Sequence, residues 1–333
     1  WKQTHFIRKL QDTNTHTWRS VGIIGAPFSK GQSRGGVERG PDLIRAAGLV
    51  QRLQEQGVCV LKDYGNLSLE DAAAEEPLGE LKSVRAVGSA NRRLSDAVQA
   101  AKKDGHTSVM LGGDHSLAIG SIHGHTTAVG PLSVVWVDAH ADINTPLTTY
   151  TGNFHGQPMS FLLHELRSYI PPLPNFSWVK PCVSARDLVY IGLRDVDPAE
   201  HHILKLLGVK AFSMSEVDQL GVARVMEETC DYLLKKPIHL SYDIDAIDPS
   251  VTPATGTPVT GGLTYREGVY ISEYLCQTGL LSGVDLVEVN PLRGQTEEAV
   301  QSTVNTAVSV LVSCLGRVRE GNPVPADYRL PEP

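Results

Sequence analysis

The 333-residue sequence contains no run of about 18 apolar residues, the length a membrane-spanning helix needs. It has no C-x-x-C pair. Its five cysteines, Cys59, Cys182, Cys230, Cys276 and Cys314, are scattered and odd in number. That speaks against a disulfide framework or a thiolate metal knuckle, and for reduced thiols in an intracellular compartment. It has no excess of positive charge: 30 Lys and Arg stand against 37 Asp and Glu, a net charge of −7. Nucleic acid is therefore not an expected partner, and neither is a membrane. No internal repeat, low-complexity tract or clear linker divides the chain. What is present is an ordinary globular balance, 41 % hydrophobic and 20 % charged, in a length that suits one large domain.

Short apolar runs punctuate the chain at Val21–Ile24, Val58–Leu61, Val109–Leu111, Leu132–Val137, Leu188–Ile191, Val209–Phe212, Ile238–Tyr242 and Val284–Val289. Val134, Val135, Trp136 and Val137 show no polar alternation, the mark of a strand buried on both faces. Helical patterns lie between the strands, at Pro41–Gln56, Leu81–Lys103, Met159–Leu166, His202–Leu207, Val222–Leu234, Tyr265–Cys276 and Glu297–Leu315. Four prolines before residue 182 make 170–181 an irregular excursion. Eight strands alternating with helices predict a single-domain, three-layer α/β fold with an open, mostly parallel eight-stranded sheet. A closed (β/α)₈ barrel fits the count too, but reordered strands in an open sheet bring separate strand ends together at a switch point. The expected boundaries are an arm over 1–20, a catalytic domain over 21–321 and a tail over 322–333.

Three strand ends carry acids and imidazoles. Gly112-Gly-Asp-His-Ser116 brings His115. Asp138-Ala-His-Ala-Asp142 brings Asp138, His140 and Asp142. Asp243-Ile-Asp245 brings Asp243 and Asp245. Four carboxylates and two imidazoles packed closely repel one another or sit desolvated unless cations hold them. One ion needs about four to six donors, some of them water, so six side chains with four negative charges fit two divalent ions with bridging carboxylates. Asp and His together suit Mn²⁺, Fe²⁺ or Zn²⁺. Such a pair can lower the pKa of a shared water toward neutrality and supply a hydroxide for hydrolysis. His155, in a loop after Asp142, reads as a proton shuttle, or as a loop histidine with a structural partner. Glu288 ends the last strand, placed to pair with a planar cationic group; Asp285 shares that face or lies deeper.

Together, Gly-Gly-Asp-His-Ser, Asp-Ala-His-Ala-Asp-Ile-Asn, Gly-Asn-Phe-His-Gly-Gln-Pro and Ser-Tyr-Asp-Ile-Asp-Ala-Ile-Asp-Pro resemble the ureohydrolase family, and within it the arginases, from about Val21 to Gly321. The resemblance implies an open eight-stranded α/β sheet, two Mn²⁺ per chain and cleavage of L-arginine into L-ornithine and urea. It implies that His115, Asp138, Asp142 and Asp243 hold one ion, and that His140, Asp138, Asp243 and Asp245 hold the other. It makes His155 the proton shuttle, Asp142 a second proton carrier and Glu288 the grip on the guanidinium, with Thr257 nearby. Asn144, Thr149 and Thr151 would donate to the substrate α-carboxylate, and Asp197 and Glu200 would receive its α-amino group. Thr151 and Tyr150 stand where small hydroxyl residues are usual in arginases, which bears on affinity. Agmatinase or a deacetylase-like hydrolase of the same fold is the alternative, as is a non-catalytic metal-stabilised scaffold.

By the same resemblance the protein is a homotrimer with Arg266, Glu267 and Arg319 at the subunit interface. The stretches Phe176–Cys182 and Asp285–Pro291 are similar to the mitochondrial animal arginase type. The N-terminal residues, basic and rich in Thr with Asp12 as the one acid before residue 20, resemble a transit-segment remnant, although an ordinary arm fits the same composition. A chain opening on Trp1 reads as processed or trimmed. Mitochondrial residence is the expectation, with the cytoplasm as the alternative.

Overall fold

The computed structural model describes residues 20–58, 60–69, 75–233, 235–320 and 329. The expected arm, up to residue 19, and the expected tail, apart from residue 329, lie outside the described residues.

All eight expected strands form: β1 (Ser20–Ala26), β2 (Val60–Asn66), β3 (Thr107–Gly112), β4 (Ser133–Val137), β5 (Leu188–Leu193), β6 (Lys210–Ser213), β7 (Ile238–Asp243) and β8 (Leu281–Val287). They make one open, wholly parallel sheet in the order β2-β1-β3-β8-β7-β4-β5-β6. The barrel alternative is thereby excluded. Strand burial follows position. All five residues of β4 are buried, as the apolar run Val134–Val137 demands; all six of β7 are buried too, although Ile238, Leu240 and Tyr242 alternate there with His239, Ser241 and Asp243. β2 lies at an edge and runs further than expected, through Lys62, Asp63 and Tyr64, because an edge strand tolerates polar side chains toward water.

Helices cover both faces, and three buried apolar clusters lie between them and the sheet. Each Val, Leu or Ile taken fully out of water there contributes about 1.5–3 kcal/mol. Several helices differ from their sequence patterns at the ends. The stretch expected as one helix over 41–56 is two, Gly40–Ala46 and Leu49–Glu55, broken at Gly48 with φ +85°. Only a residue without Cβ enters that region cheaply. The helix expected at 202 begins earlier, at Pro198, because Asp197 and Glu200 form a capping box around a proline in the first turn.

Strand order decides what meets at the carboxyl edge. Of the ligand-bearing strands, β7 and β4 are direct neighbours, and β8 sits between β3 and β7. Register then aligns the strand ends: Leu111 faces Leu286, Val287 faces Asp243, and Tyr242 faces Val137. Asp243 at the end of β7 and the residues just beyond the other strands, His115, Glu288 and Asp138, therefore come from four adjacent strands.

Candidate functional site

The His115 imidazole is fully buried, and its Nδ1 faces Asp138 Oδ2 at 3.1 Å, Asp142 Oδ2 at 3.2 Å and Asp243 Oδ2 at 3.2 Å. None of these oxygens meets that nitrogen in hydrogen-bond geometry. The ring is fixed from outside: Nε2 pairs with Ser241 Oγ at 2.9 Å, and the ring stacks on Trp136 with centroids 4.1 Å apart. Alongside, His140 Nδ1 lies 3.3 Å from both Asp138 Oδ1 and Asp245 Oδ2. Asp138 belongs to both groups, one oxygen to each. Two donor sets result, His115 with Asp138 and Asp243, and Asp138 with His140 and Asp245, each compact enough to hold a metal ion. Asp142 adds its Oδ2 to the first. An orphaned buried nitrogen ringed by carboxylates, and a mixed oxygen and nitrogen donor set, fit a divalent metal.

Electrostatics point the same way. Burial, then the neighbouring Asp138 charge, pushes Asp142 up to about 6. Burial together with Asp245 and Asp138 raises Asp243 well above the usual carboxylate range. Burial opposes charge on His115, yet the three facing carboxylates raise it well above its ordinary value. Such a cluster needs protons or cations to be tolerable; dications satisfy all six groups at once.

Backbone conformation marks the same residues. Asp142 has φ +48° and Glu288 φ +66°, both in the left-handed region. Neither is glycine, and strain of this kind is held only where surrounding contacts over-determine it. Glu288 shows those contacts: its Oε1 accepts the His115 N–H at 2.9 Å and its Oε2 accepts Gln32 Nε2 at 2.6 Å. His155 Nδ1 lies 3.7 Å from Glu288 Oε1. Burial lowers the His155 pKa, but Glu288, Asp142 and Asp114 outweigh it and raise it above the ordinary value. The loop carrying His155 does fold back, through Asn144 N–H to the Gly156 carbonyl at 3.1 Å and His155 N–H to the Gly31 carbonyl at 3.0 Å.

Two donor sets that could each hold a metal ion thus meet at one sheet edge, with a held glutamate beside them. The arginase family model matches residues 19–316. The chain belongs to the arginase family. It is 61 % identical to Arginase-1 of Homo sapiens over 316 residues, which cover 94 % of this chain and 98 % of that one. It is 57 % identical to human "Arginase-2, mitochondrial" over 336 residues, 98 % of this chain and 94 % of that one. The native structure of arginase from Bacillus caldovelox superposes with a TM-score of 0.83 at 36 % identity, covering 90 % of this chain and 99 % of that one. As an arginase-family member the chain is an enzyme, a hydrolase of linear amidines, with the type II likeness that its sequence suggested.

Placed in this arginase-family site, the remaining candidates fall around its mouth. Thr257 Oγ1 donates to Asp245 Oδ2 at 3.0 Å, so it touches the cluster directly. Asn144 Nδ2 donates to Asp197 Oδ2 at 2.8 Å, joining two groups expected around the same substrate α-carbon, one at its carboxylate and one at its amino group. Thr149 and Thr151 lie 3.5 Å apart through their hydroxyls, on the more open side of the loop. Glu200 is buried, accepts from the backbone of Ile143 and Asp197, and is pushed up to about 8 by burial and by Asp142. Asp285 lies away from the cluster, bonded to His239 Nε2 at 2.9 Å and to Ser121. Gln32 and Asp114 were not singled out from the sequence. Asp114 was legible within Gly-Gly-Asp-His-Ser, whereas nothing local marks Gln32, which reaches Glu288 from a loop 256 residues away.

Two of the expected interface residues, Glu267 and Arg319, have partners within the chain. Glu267 caps the helix Tyr265–Gln277 through Thr264. Arg319 grips both carboxylate oxygens of Glu273 at 2.9 Å. Arg266 is exposed.

Proposed function

We propose that the enzyme binds two Mn²⁺ and hydrolyses L-arginine to L-ornithine and urea. The observation that carries this reading is the paired donor cluster with the Glu288 carboxylate beside it. Each Glu288 oxygen already accepts one hydrogen bond, and a carboxylate has about four acceptor positions, so two remain to pair with a guanidinium. His115, Asp138, Asp142 and Asp243 would hold one ion; His140, Asp138, Asp243 and Asp245 would hold the other. When bound, the two dications supply the Lewis acidity that eases ionisation of an attacking water near neutral pH.

The chain's own groups do the rest. Glu288 orients the guanidinium carbon, with Thr257 at its edge. Asp142 takes the proton released as water adds to that carbon and passes it toward the departing nitrogen. The carbon–Nε bond breaks, leaving urea and the ornithine amine, and His155 carries protons between this pocket and solvent. Selectivity for arginine over agmatine rests on the α-carboxylate and α-amino groups. Asn144, Thr149 and Thr151 donate to the first, and Asp197 and Glu200 receive the second, directly or through water. A urea assay with arginine and with agmatine, before and after chelation and Mn²⁺ return, tests the whole reading. Urea from agmatine alone would make the enzyme an agmatinase.

In this reading residues 21–321 are the catalytic domain, flanked by the arm 1–20 and the tail 322–333. Assembly is a homotrimer through Arg266, Glu267 and Arg319, and a sedimentation mass of one 36.0 kDa chain would contradict it. A mitochondrial location is supported by the likeness to the mitochondrial relative and by the basic arm, with the cytoplasm as the alternative. Cell fractionation decides between them.

A further inference from the structure

Arg194 follows β5 and is named by none of the motifs above. A guanidinium has five N–H donors, and here all five find acceptors. Nε donates to the Val259 carbonyl at 3.1 Å. Nη1 donates to Gly192 at 3.2 Å and Ala246 at 3.1 Å. Nη2 donates to Asp245 at 2.6 Å and Val259 at 2.8 Å. Every acceptor is a main-chain carbonyl, so the side chain does not serve as one half of a salt bridge. The carbonyls belong to three separate segments: the end of β5, the turn after β7 that bears Asp245, and the loop that bears Thr257. The Arg194 N–H also donates to the Ala139 carbonyl at 2.9 Å, next to Asp138 and His140. The packing leaves no slack. A Cβ on Gly262 would lie 2.6 Å from Arg194 Nη2 and 2.7 Å from the Asp248 nitrogen.

We propose that Arg194 is a positioning residue that splints the Asp245 turn and the Thr257 loop to β5, and so sets the geometry of the donor set formed by Asp138, His140 and Asp245. This inference rests on the two-metal reading. It further requires the effect to be unequal, larger at the ion held by His140 and Asp245, because the fork holds the backbone of Asp245 and touches neither the His115 loop nor Asp142; only the shared Asp138 and Asp243 reach the other ion. The planar fork is needed as well as the charge. A lysine ammonium has three donors at one point and cannot span three segments.

The test titrates metal-free protein with Mn²⁺ by calorimetry and follows backbone hydrogen exchange over residues 244–263, in the unaltered chain, Arg194→Met and Arg194→Lys. Loss of a residue that orients metal ligands weakens binding on the order of 10- to 100-fold. That loss is expected for one of the two ions in both variants, with a clearly smaller change at the other, together with faster exchange at 244–247 and 257–263. Equal weakening of both ions, weakening of neither, unchanged exchange, or full recovery in Arg194→Lys would each overturn the proposal. If the unaltered chain takes up fewer than two ions, the two-metal reading fails by itself, and the exchange comparison alone decides the role of Arg194. Arg194→Lys keeps the comparison open should Arg194→Met fail to fold.

Discussion

Glu288 accepts the backbone N–H of His115 at 2.9 Å, so the end of β8 and the loop after β3 share one anchor. The same carboxylate is the group proposed to grip the substrate. In Glu288→Gln the His115 contact can be kept through the amide oxygen, but the negative charge is gone and the new amide NH₂ faces Gln32 Nε2, a second donor. Urea formation is expected to fall by at least about a hundredfold while Mn²⁺ uptake is retained. Turnover within threefold or so of the unaltered enzyme would remove Glu288 from the guanidinium subsite.

His155 offers an imidazole beside Glu288 and Asp142 without touching either at hydrogen-bond distance. His155→Asn keeps a polar side chain of similar reach and cannot carry a proton. Loss of a positioned proton carrier costs about 10²- to 10⁴-fold in rate. The check is kcat at saturating arginine, with metal content measured on the same sample; an unchanged kcat makes His155 a structural histidine.

Removing metal leaves four acids and two imidazoles facing one another. Chelation is therefore expected to lower the melting temperature, and Mn²⁺ to restore it. Free ion at a hundred times its dissociation constant stabilises a single site by about 2.7 kcal/mol. A melting temperature indifferent to chelator and to Mn²⁺ would count against the metal centre independently of any activity assay.

Burial, followed by the nearby Asp142 charge, pushes the Glu200 carboxyl up to about 8 from an ordinary 4.5. The native chain then holds one more proton than the unfolded chain between those values. Its contribution to stability is whole below about pH 4.5 and lost as pH rises through about 8. Glu200→Gln cannot titrate. The melting temperature of metal-free Glu200→Gln should fall less between about pH 5 and pH 8 than that of the unaltered chain. Parallel pH curves would show that Glu200 ionises as an ordinary carboxylate.

Away from the centre, His239 and Asp285 form a fully buried pair at 2.9 Å, continued by His125 Nδ1 at 2.9 Å from His239 Nδ1. His239→Ala strips Asp285 of one of its two partners and leaves a cavity. Removing one side of a buried pair costs about 3–5 kcal/mol, readable as a lower denaturant midpoint. A loss under about 1 kcal/mol, the scale of one ordinary hydrogen bond, would mean that water replaces the imidazole.

Much of the candidate donor cluster was legible before folding. His115, Asp138, His140 and Asp142 follow apolar runs without alternation, a local signal of a buried strand, and Asp243 and Asp245 follow Ile238–Tyr242, where apolar residues alternate with His239 and Ser241. Helix ends were less legible. Gly48 breaks a pattern that otherwise reads as continuous, and the Asp197–Glu200 box starts a helix four residues before its apolar periodicity does. Gln32 and Arg194 were not singled out, because a glutamine in a glycine-rich loop and an arginine after a strand carry no local mark of what they reach.

Sequence alone determined the strand set, the donor types at three strand ends and the chemistry those donors favour, since hydropathy periodicity and coordination preference are properties of side chains and their near neighbours. Tertiary structure decided that β8 enters between β3 and β7, that Asp142 and Glu288 are held at positive φ, and that one guanidinium joins three segments. Those outcomes depend on register and packing between residues far apart in the chain, and no short stretch encodes them.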